Sequence, residues 1–245
     1  MATEAPPDLA STLSPEELKA IIARGYDTIA PQYLAWSGPR PTMTRAAYVA
    51  QLLDLLDPGA SILELGCGAG VPTTQTIAAH PKKFHVTGVD ISAAQVALAR
   101  EHVKVPEEER AAEEERVREI GRGRVAFEHA DMAKLHYEEG SFEAVLAFYS
   151  IFHLPREEQP AMIGKVVKWL KPGGYLLLNM NTKDEVVHRE DWMGAPMFSF
   201  GIGLEGNKRA FEEYGKGLKI LVDEVAVEKV GRFEETFHWF FAQKE

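Results

Sequence analysis

The segment Ile62-Leu63-Glu64-Leu65-Gly66-Cys67-Gly68-Ala69-Gly70 decides the fold. An apolar run carrying one acid passes straight into three glycines at alternate positions, and a helical stretch near 72–80 follows. Glycine is needed where the backbone takes positive φ or lets a ligand lie against it. Open α/β sheets bind their ligands at such strand ends. Outward from this segment, β-type runs at 61–65, 84–89, 125–129, 144–148 and 175–179 alternate with helical stretches near 92–104, 107–120 and 156–170. That alternation predicts βαβ units and a parallel sheet covered on both faces. Two further runs, 218–227 and 233–241, are separated only by a short turn containing Gly231. So close a pair can only be an antiparallel hairpin. The expected fold is α/β: a Rossmann-like, seven-stranded, mostly parallel sheet ending in an antiparallel hairpin, with an N-terminal helical lid.

The glycine loop fails two familiar nucleotide patterns. The dinucleotide pattern Gly-x-Gly-x-x-Gly places Val71 at its last position when counted from Gly66, and Thr73 when counted from Gly68. No Lys-Ser/Thr pair follows, so the phosphate-binding Walker loop fails as well. Glu64 would repel a pyrophosphate and suits a ligand carrying positive charge. Asp90 closes the second run, twenty residues after Gly70. An acid there can accept both hydroxyl hydrogens of a ribose, or simply cap the helix that begins near Ser92. Asp131 follows the third run. It can accept from an exocyclic amine with Met132 against an adenine face, or serve only its turn.

The segments 63–70, Val89-Asp90-Ile91-Ser92 and Ala130-Asp131-Met132 closely resemble the class I S-adenosylmethionine-dependent methyltransferases. The resemblance spans about 26–181, and the terminal hairpin fits it. It implies that Gly66, Gly68 and Gly70 line the methionine part of the cofactor. It also implies that Glu64 holds the loop or bonds the amino group, that Asp90 and Ile91 meet the ribose, and that Asp131 and Met132 meet the adenine. Tyr33 and Phe148 complete the implied cofactor set. The product is then S-adenosylhomocysteine. These motifs specify the cofactor well and the acceptor poorly.

For the acceptor, the landmark is Ala147-Phe148-Tyr149-Ser150-Ile151-Phe152-His153-Leu154-Pro155, similar to the strand end that faces the methyl group in small-molecule methyltransferases. His153 is the candidate catalytic base, because a neutral imidazole takes a proton near pH 7; bracing the loop is its other reading. No Asn/Asp-Pro-Pro-Tyr/Phe motif of nucleic-acid amino methyltransferases occurs here. The segment Tyr26 to Trp36 resembles the lid of small-molecule members such as the quinone methyltransferase-like group. Tyr26, Tyr33 and Trp36 then close the site, or else merely pack in a core. Residues 191–200 are rich in aromatics and Met yet full of helix and strand breakers. Such a loop roofs an apolar acceptor through Trp192, Met193 and Met197, or packs as a loop or dimer contact. Tyr149 joins the acceptor set. His80, His85, His129 and His136 lack ligand spacing, so no metal is expected. Cys67 is read as loop packing.

Composition bounds the rest. The 245 residues favour one domain of ordinary globular make-up, 45% apolar and 26% charged. Its expected parts are a disordered tail at 1–13, a helical lid at 14–56, and a core at 57–245 with a capping insertion near 184–216. Ser14, Pro15 and Glu17 predict a capped helix that stops near Gly25, with a second short helix carrying Tyr26, Ile29 and Tyr33. Apolar spacing predicts another helix over 42–56. Residues 107–119 hold seven Glu and three Arg, read as a solvated helix face with ion pairs. The net charge of −10 argues against nucleic acid. One cysteine excludes an intrachain disulfide. No membrane span or signal peptide is read, so the expected setting is cytoplasmic, as monomer or homodimer. The expected activity is methyl transfer to O, N, S or C of a small, partly apolar or aromatic metabolite. The alternative is a protein that binds the cofactor without methyl transfer, as a regulatory module or as a cyclisation or rearrangement catalyst.

Overall fold

The computed structural model describes residues 9–38, 43–120, 123–230 and 233–245. Its strands are β1 (Ser61–Leu65), β2 (His85–Asp90), β3 (Val125–His129), β4 (Phe142–Ala147), β5 (Leu170–Asn181), β6 (Val186–Trp192), β7 (Ala195–Phe200), β8 (Leu218–Val230) and β9 (Phe233–Lys244). Its helices are α1 (Leu9–Thr12), α2 (Pro15–Ser37), α3 (Met43–Leu55), α4 (Thr73–Ala78), α5 (Ala93–His102), α6 (Arg110–Ile120), α7 (Glu158–Trp169) and α8 (Gly203–Tyr214).

Seven strands form one sheet in the order β3-β2-β1-β4-β5-β9-β8. The first five are parallel, and β9 enters antiparallel between β5 and β8. This is the expected sheet; the turn expected at Gly231 lies outside the described residues. Strands buried on both faces read as near-continuous apolar runs. Accordingly Leu63, Leu65, Val145, Leu176 and Leu178 pack under Met162, Ile163, Val166 and Trp169 of α7. On the other face Ile62, Val86, Leu146 and Trp239 pack under Val49, Leu52 and Leu53 of α3. Thus α3 is a core layer and not part of a lid. Among the described residues no helix is long and apolar enough to cross a membrane.

Three local expectations change. The tail reading fails at Leu9–Thr12, which forms a short helix whose Ala10 packs toward α2. The capping box forms as read, with the Ser14 N–H donating to Glu17 Oε2 at 2.8 Å and the Glu17 N–H to Ser14 Oγ at 3.3 Å. Yet the helix does not stop at Gly25: α2 runs unbroken to Ser37, through Pro31. The reason is tertiary. Residues 191–200, read as a loop, belong to the hairpin β6–β7, which turns at Met193 and Gly194, both at positive φ. Such a pair of positive φ values suits a two-residue hairpin turn. The hairpin lies across α2, with Met197, Phe198 and Phe200 against Leu18, Ile22 and Ile29. Gly25 sits at the crossing, where a Cβ would stand 2.8 Å from the Pro196 carbonyl oxygen and 3.0 Å from Met197 Cε. It is a contact glycine inside a helix, and packing overrides its weak helix propensity.

The acidic run also does more than face solvent. Arg124, buried at the head of β3, is held by Glu109 at 2.7 Å, and its N–H donates to Glu113 at 2.7 Å.

Replacing Gly25 by Val should overpack the α2–hairpin crossing and cost about 1–3 kcal/mol. Chemical denaturation measures it; unchanged stability would show that the crossing is loose.

Candidate functional site

The three glycines differ in purpose. The chain leaves β1 with the Gly66 and Cys67 N–H groups both donating to the Val89 carbonyl, at 2.7 and 3.0 Å. Gly66 has φ +74°, and a Cβ there would lie 2.3 Å from Ser150 Cβ. Ser150 crosses directly behind the turn, its hydroxyl donating to the Leu65 carbonyl at 2.8 Å. Gly70, at φ +73°, turns toward α5, where a Cβ would meet Val103 at 2.4 Å. It packs the loop and does not line the cavity. Gly68, at φ +55°, is open: a Cβ there would meet only Gln95 Oε1, at 3.8 Å. Its free side belongs to a cavity lined also by Tyr26, Tyr33, Arg45, Glu64, Asp90 and His153.

Two buried acids flank the turn. Asp90 accepts the Gly68 N–H at 2.8 Å on one oxygen and the Ser92 N–H at 2.9 Å on the other. It therefore shapes the loop, and each oxygen keeps a lone pair for a ligand. Burial pushes its carboxyl above the usual range, and the two amides oppose that. Glu64 accepts the Thr74 hydroxyl. Burial pushes its pKa up to about 7, against which Thr74 and the Arg45 cation act. Cys67 is buried and its thiol is pushed well up by burial and by Asp90 and Glu64, so it is no nucleophile.

The end of β4 supplies the opposite wall. Tyr149 stands at φ +52°, its N–H donating to Asn179 Oδ1 at 2.7 Å and its hydroxyl to Glu228 at 2.6 Å. The Arg45 guanidinium lies over its ring, 5.4 Å from the centroid. His153 follows on a single 3₁₀ turn. Its Nδ1 is 2.8 Å from the Phe198 carbonyl, which can only accept, so Nδ1 carries the proton. Nε2 is then the acceptor, and the Tyr26 hydroxyl donates to it at 2.9 Å. Burial lowers the His153 pKa to about 4, so the ring is neutral near pH 7.

Of the residues expected from sequence, Tyr26, Tyr33, Glu64, Gly66, Gly68, Asp90, Ile91, Met132, Phe148, Tyr149 and His153 line this one cavity. Asp131 does not. It lines an adjoining cleft, where one oxygen meets Lys19 Nζ at 2.8 Å and the other accepts the Ala133 N–H at 2.9 Å. Trp36, Trp192, Met193 and Met197 also stand off the wall. Trp36 and Trp192 form an outer ring layer on Tyr33, at 5.8 and 5.6 Å between centroids. Met197 is buried between the hairpin and α2. Sequence reasoning missed Arg45, Gln95 and Ser150. Arg45 and Gln95 come from helices outside the glycine motif, and only their polarity at otherwise helical-core spacing marked them. Among the described residues no group of three or more His, Cys, Asp or Glu could hold a metal.

The raised Glu64 pKa has a sign. Between its ordinary 4.5 and about 7 the folded chain keeps a proton that the unfolded chain has released. Its contribution to stability therefore falls as pH rises through that window. Glu64→Gln keeps an acceptor for Thr74 and removes the charge. The variant should be more stable than the parent at pH 8, by on the order of 1–3 kcal/mol, with the gap closing toward pH 4.5. Denaturant melts across this range measure it, and a pH-independent gap would contradict the assignment.

The chain is similar to known methyltransferases in sequence and in fold. Residues 62–174 match the family model described as a methyltransferase domain. A phosphoethanolamine N-methyltransferase of Triticum aestivum is 33% identical over 132 residues, 53% of this chain and 22% of that protein. The 27-O-demethylrifamycin SV methyltransferase of Amycolatopsis mediterranei is 30% identical over 167 residues, 68% of this chain and 50% of that one. The chain thus spans half or less of the length of these curated relatives. In fold it is like magnesium protoporphyrin IX methyltransferase from Synechocystis, solved with S-adenosylmethionine bound, at TM-score 0.60 and 18% identity over 99% of this chain and 100% of that one. Residues 62–174 of this chain thus resemble a methyltransferase domain, and the chain shares the fold of that S-adenosylmethionine-bound structure.

Proposed function

We propose that this protein transfers a methyl group from S-adenosylmethionine to a small, partly apolar or aromatic metabolite in the cytoplasm. The observation that carries this reading is one cavity with two walls: a glycine turn flanked by buried carboxylates, and a neutral tyrosine–histidine pair.

The residues fit the cofactor. Glu64 and Arg45 give the wall an anion and a cation, which match the two ends of an amino-acid zwitterion. Asp90 retains acceptor capacity for a ribose, and Met132 offers an apolar face for the base. Asp131, tied to Lys19, is left in a supporting role beside Met132. Tyr26, Tyr33 and Phe148 line the cavity with aromatic rings, whose π-faces attract a cation.

When bound, S-adenosylmethionine supplies an activated methyl group on a positively charged sulfur. The chain then has three tasks: to align, to exclude water and to hold a proton. Helix α2 does the excluding. It is tied across the site by Asp27, which accepts from the Ser92 hydroxyl at 2.7 Å, and by Lys19, which bridges Asp131 and Glu158. The proton goes to the Tyr26–His153 pair. The Tyr26 oxygen accepts the proton of an O–H, N–H or S–H acceptor while the Tyr26 proton passes to His153 Nε2. Tyrosine ends neutral and histidine ends as imidazolium. A pKa of about 4 makes His153 a weak base in the empty cavity. During transfer, however, the cavity's positive charge only moves from sulfur to imidazole, so no net charge is created in the buried site. The aromatic rings of Tyr26, Tyr33, Phe148 and Tyr149 on the wall and the −10 charge of the chain support a small, partly apolar acceptor over nucleic acid.

Isothermal titration with S-adenosylmethionine tests the first half of this reading, and a folded protein that does not bind would sink it. Asp90→Ala should weaken binding by roughly 1–3 kcal/mol through lost charged hydrogen bonds. Tyr26→Phe should leave cofactor affinity nearly unchanged and lower turnover. Turnover equal to the parent's, across acceptors that must lose a proton, would remove the pair from the mechanism.

A further inference from the structure

Helix α2 and the hairpin β6–β7 share a core of their own. Leu18, Ile22 and Ile29 of α2 pack with Met197, Phe198 and Phe200 of β7. Among the described residues no side chain of this unit belongs to either of the two cores that cover the sheet. Parting α2 from the hairpin would expose their apolar core to water, whereas lifting the two together keeps it covered. The unit therefore moves as one body. The seam that joins it to the rest carries hydrogen bonds and ion pairs. Along α5, Asp27 accepts the Ser92 hydroxyl at 2.7 Å and the Ala94 N–H at 3.0 Å. From the hairpin, the Phe200 carbonyl accepts from Gln159 at 2.8 Å. Two cavities also open on this seam, both lined by Ile22 of α2 and by His153.

One tie is both ionic and buried. The Lys19 ammonium stands 2.8 Å from Asp131 and donates to the two oxygens of Glu158 at 2.9 and 3.0 Å, with its side chain 5% exposed. It pins α2 to two separate elements, the turn after β3 and α7. Salt screens so enclosed a pair poorly. Without the ammonium, Asp131 and Glu158 would face each other as like charges. When α2 lifts, all three groups regain water, so the tie fixes position without making closure permanent. Glu64 and Asp90, the acids assigned to the cofactor, are 4% and 8% exposed and share their cavity with Ile22, Tyr26 and Tyr33 of α2. A ligand of nucleoside size reaches them only when α2 lifts. We propose that Lys19 is a positioning residue that clasps α2 and the β6–β7 hairpin, as one cap, over the bound cofactor, and that opening of this clasp sets the rate at which S-adenosylhomocysteine enters and leaves. This rests on the cofactor reading above.

The test is surface plasmon resonance on the immobilised full chain, which gives association and dissociation rates for S-adenosylhomocysteine in the parent, Lys19→Met and Glu158→Gln. Thermal melts show that each protein is folded. Lys19→Met should raise both rates, dissociation by about tenfold, because a charged tie is gone. Glu158→Gln leaves Asp131 on the ammonium and should raise both by about twofold to threefold. If Lys19→Met does not fold, Glu158→Gln decides alone. Losing a contact to the ligand itself would speed dissociation and leave association unchanged. Spin labels on Glu190→Cys in the hairpin and Lys168→Cys on α7, both exposed positions, report the cap directly. Adding Lys19→Met, or Glu158→Gln in its place, should bring in a population at longer distance. Unchanged rates, faster dissociation without faster association, or an unchanged label distance overturns the inference while leaving cofactor binding standing. A folded parent that does not bind S-adenosylhomocysteine overturns the cofactor reading and this inference with it.

Discussion

The whole arrangement depends on the absence of one atom, the Cβ that Gly66 lacks. Ser150 lies so close behind the turn that such a Cβ would overlap its own, at 2.3 Å. That closeness lets the Ser150 hydroxyl reach the Leu65 carbonyl, and lets the turn's first two N–H groups reach the Val89 carbonyl. The carboxyl ends of β1, β2 and β4 are thus tied at one point. Asp90 extends the tie by taking the Gly68 N–H. A side chain at 66 would push β4 away and carry Tyr149 and His153 out of reach of the glycine turn. Loop shape and the spacing of the two cavity walls follow from this contact.

Around that point charge is managed by burial. Glu64 and Asp90 are enclosed, and both carboxyls are pushed up by it. They stand where a cationic ligand would relieve the cost. His153, enclosed on the other wall, is held neutral, with both ring nitrogens bonded in a fixed tautomer. Helix α2 covers both walls, and its own charges are spent on holding it there: Lys19 on Asp131 and Glu158, Asp27 on Ser92 and Ala94. The hairpin β6–β7 contributes only the Phe198 carbonyl to this network, yet that carbonyl fixes which nitrogen of His153 can accept a proton.

The sheet was legible because its signals are local. Apolar runs of strand length, the glycine turn and acids at the strand ends all sit within short windows, and all seven sheet strands fall where those windows predict. The C-terminal end of α2 was not legible. Gly25 reads as a stop because its helix propensity is poor, while the contact that keeps it helical comes from Pro196 and Met197, far along the chain. The hairpin was hidden for a related reason: Gly194 and Pro196 read as breakers, and the pairing that organises 186–200 is visible only in three dimensions. At the site, motif residues such as Gly68 and Asp90 fell on the wall, but density in aromatics did not separate the lining Tyr26 from the outer Trp192. Gln95 and Arg45 lie outside every motif, and only the unmet polarity of one and the charge of the other mark them in the folded chain.

The central claim is that the glycine turn and the Tyr26–His153 pair are the two walls of one reaction site. A crystal structure of the full chain with S-adenosylhomocysteine tests this most directly. The account predicts the ribose on Asp90, the amino-acid end between Glu64 and Arg45, and the sulfur facing the Tyr26 hydroxyl. A ligand seated in another cleft, or one whose sulfur points away from Tyr26 and His153, would contradict it.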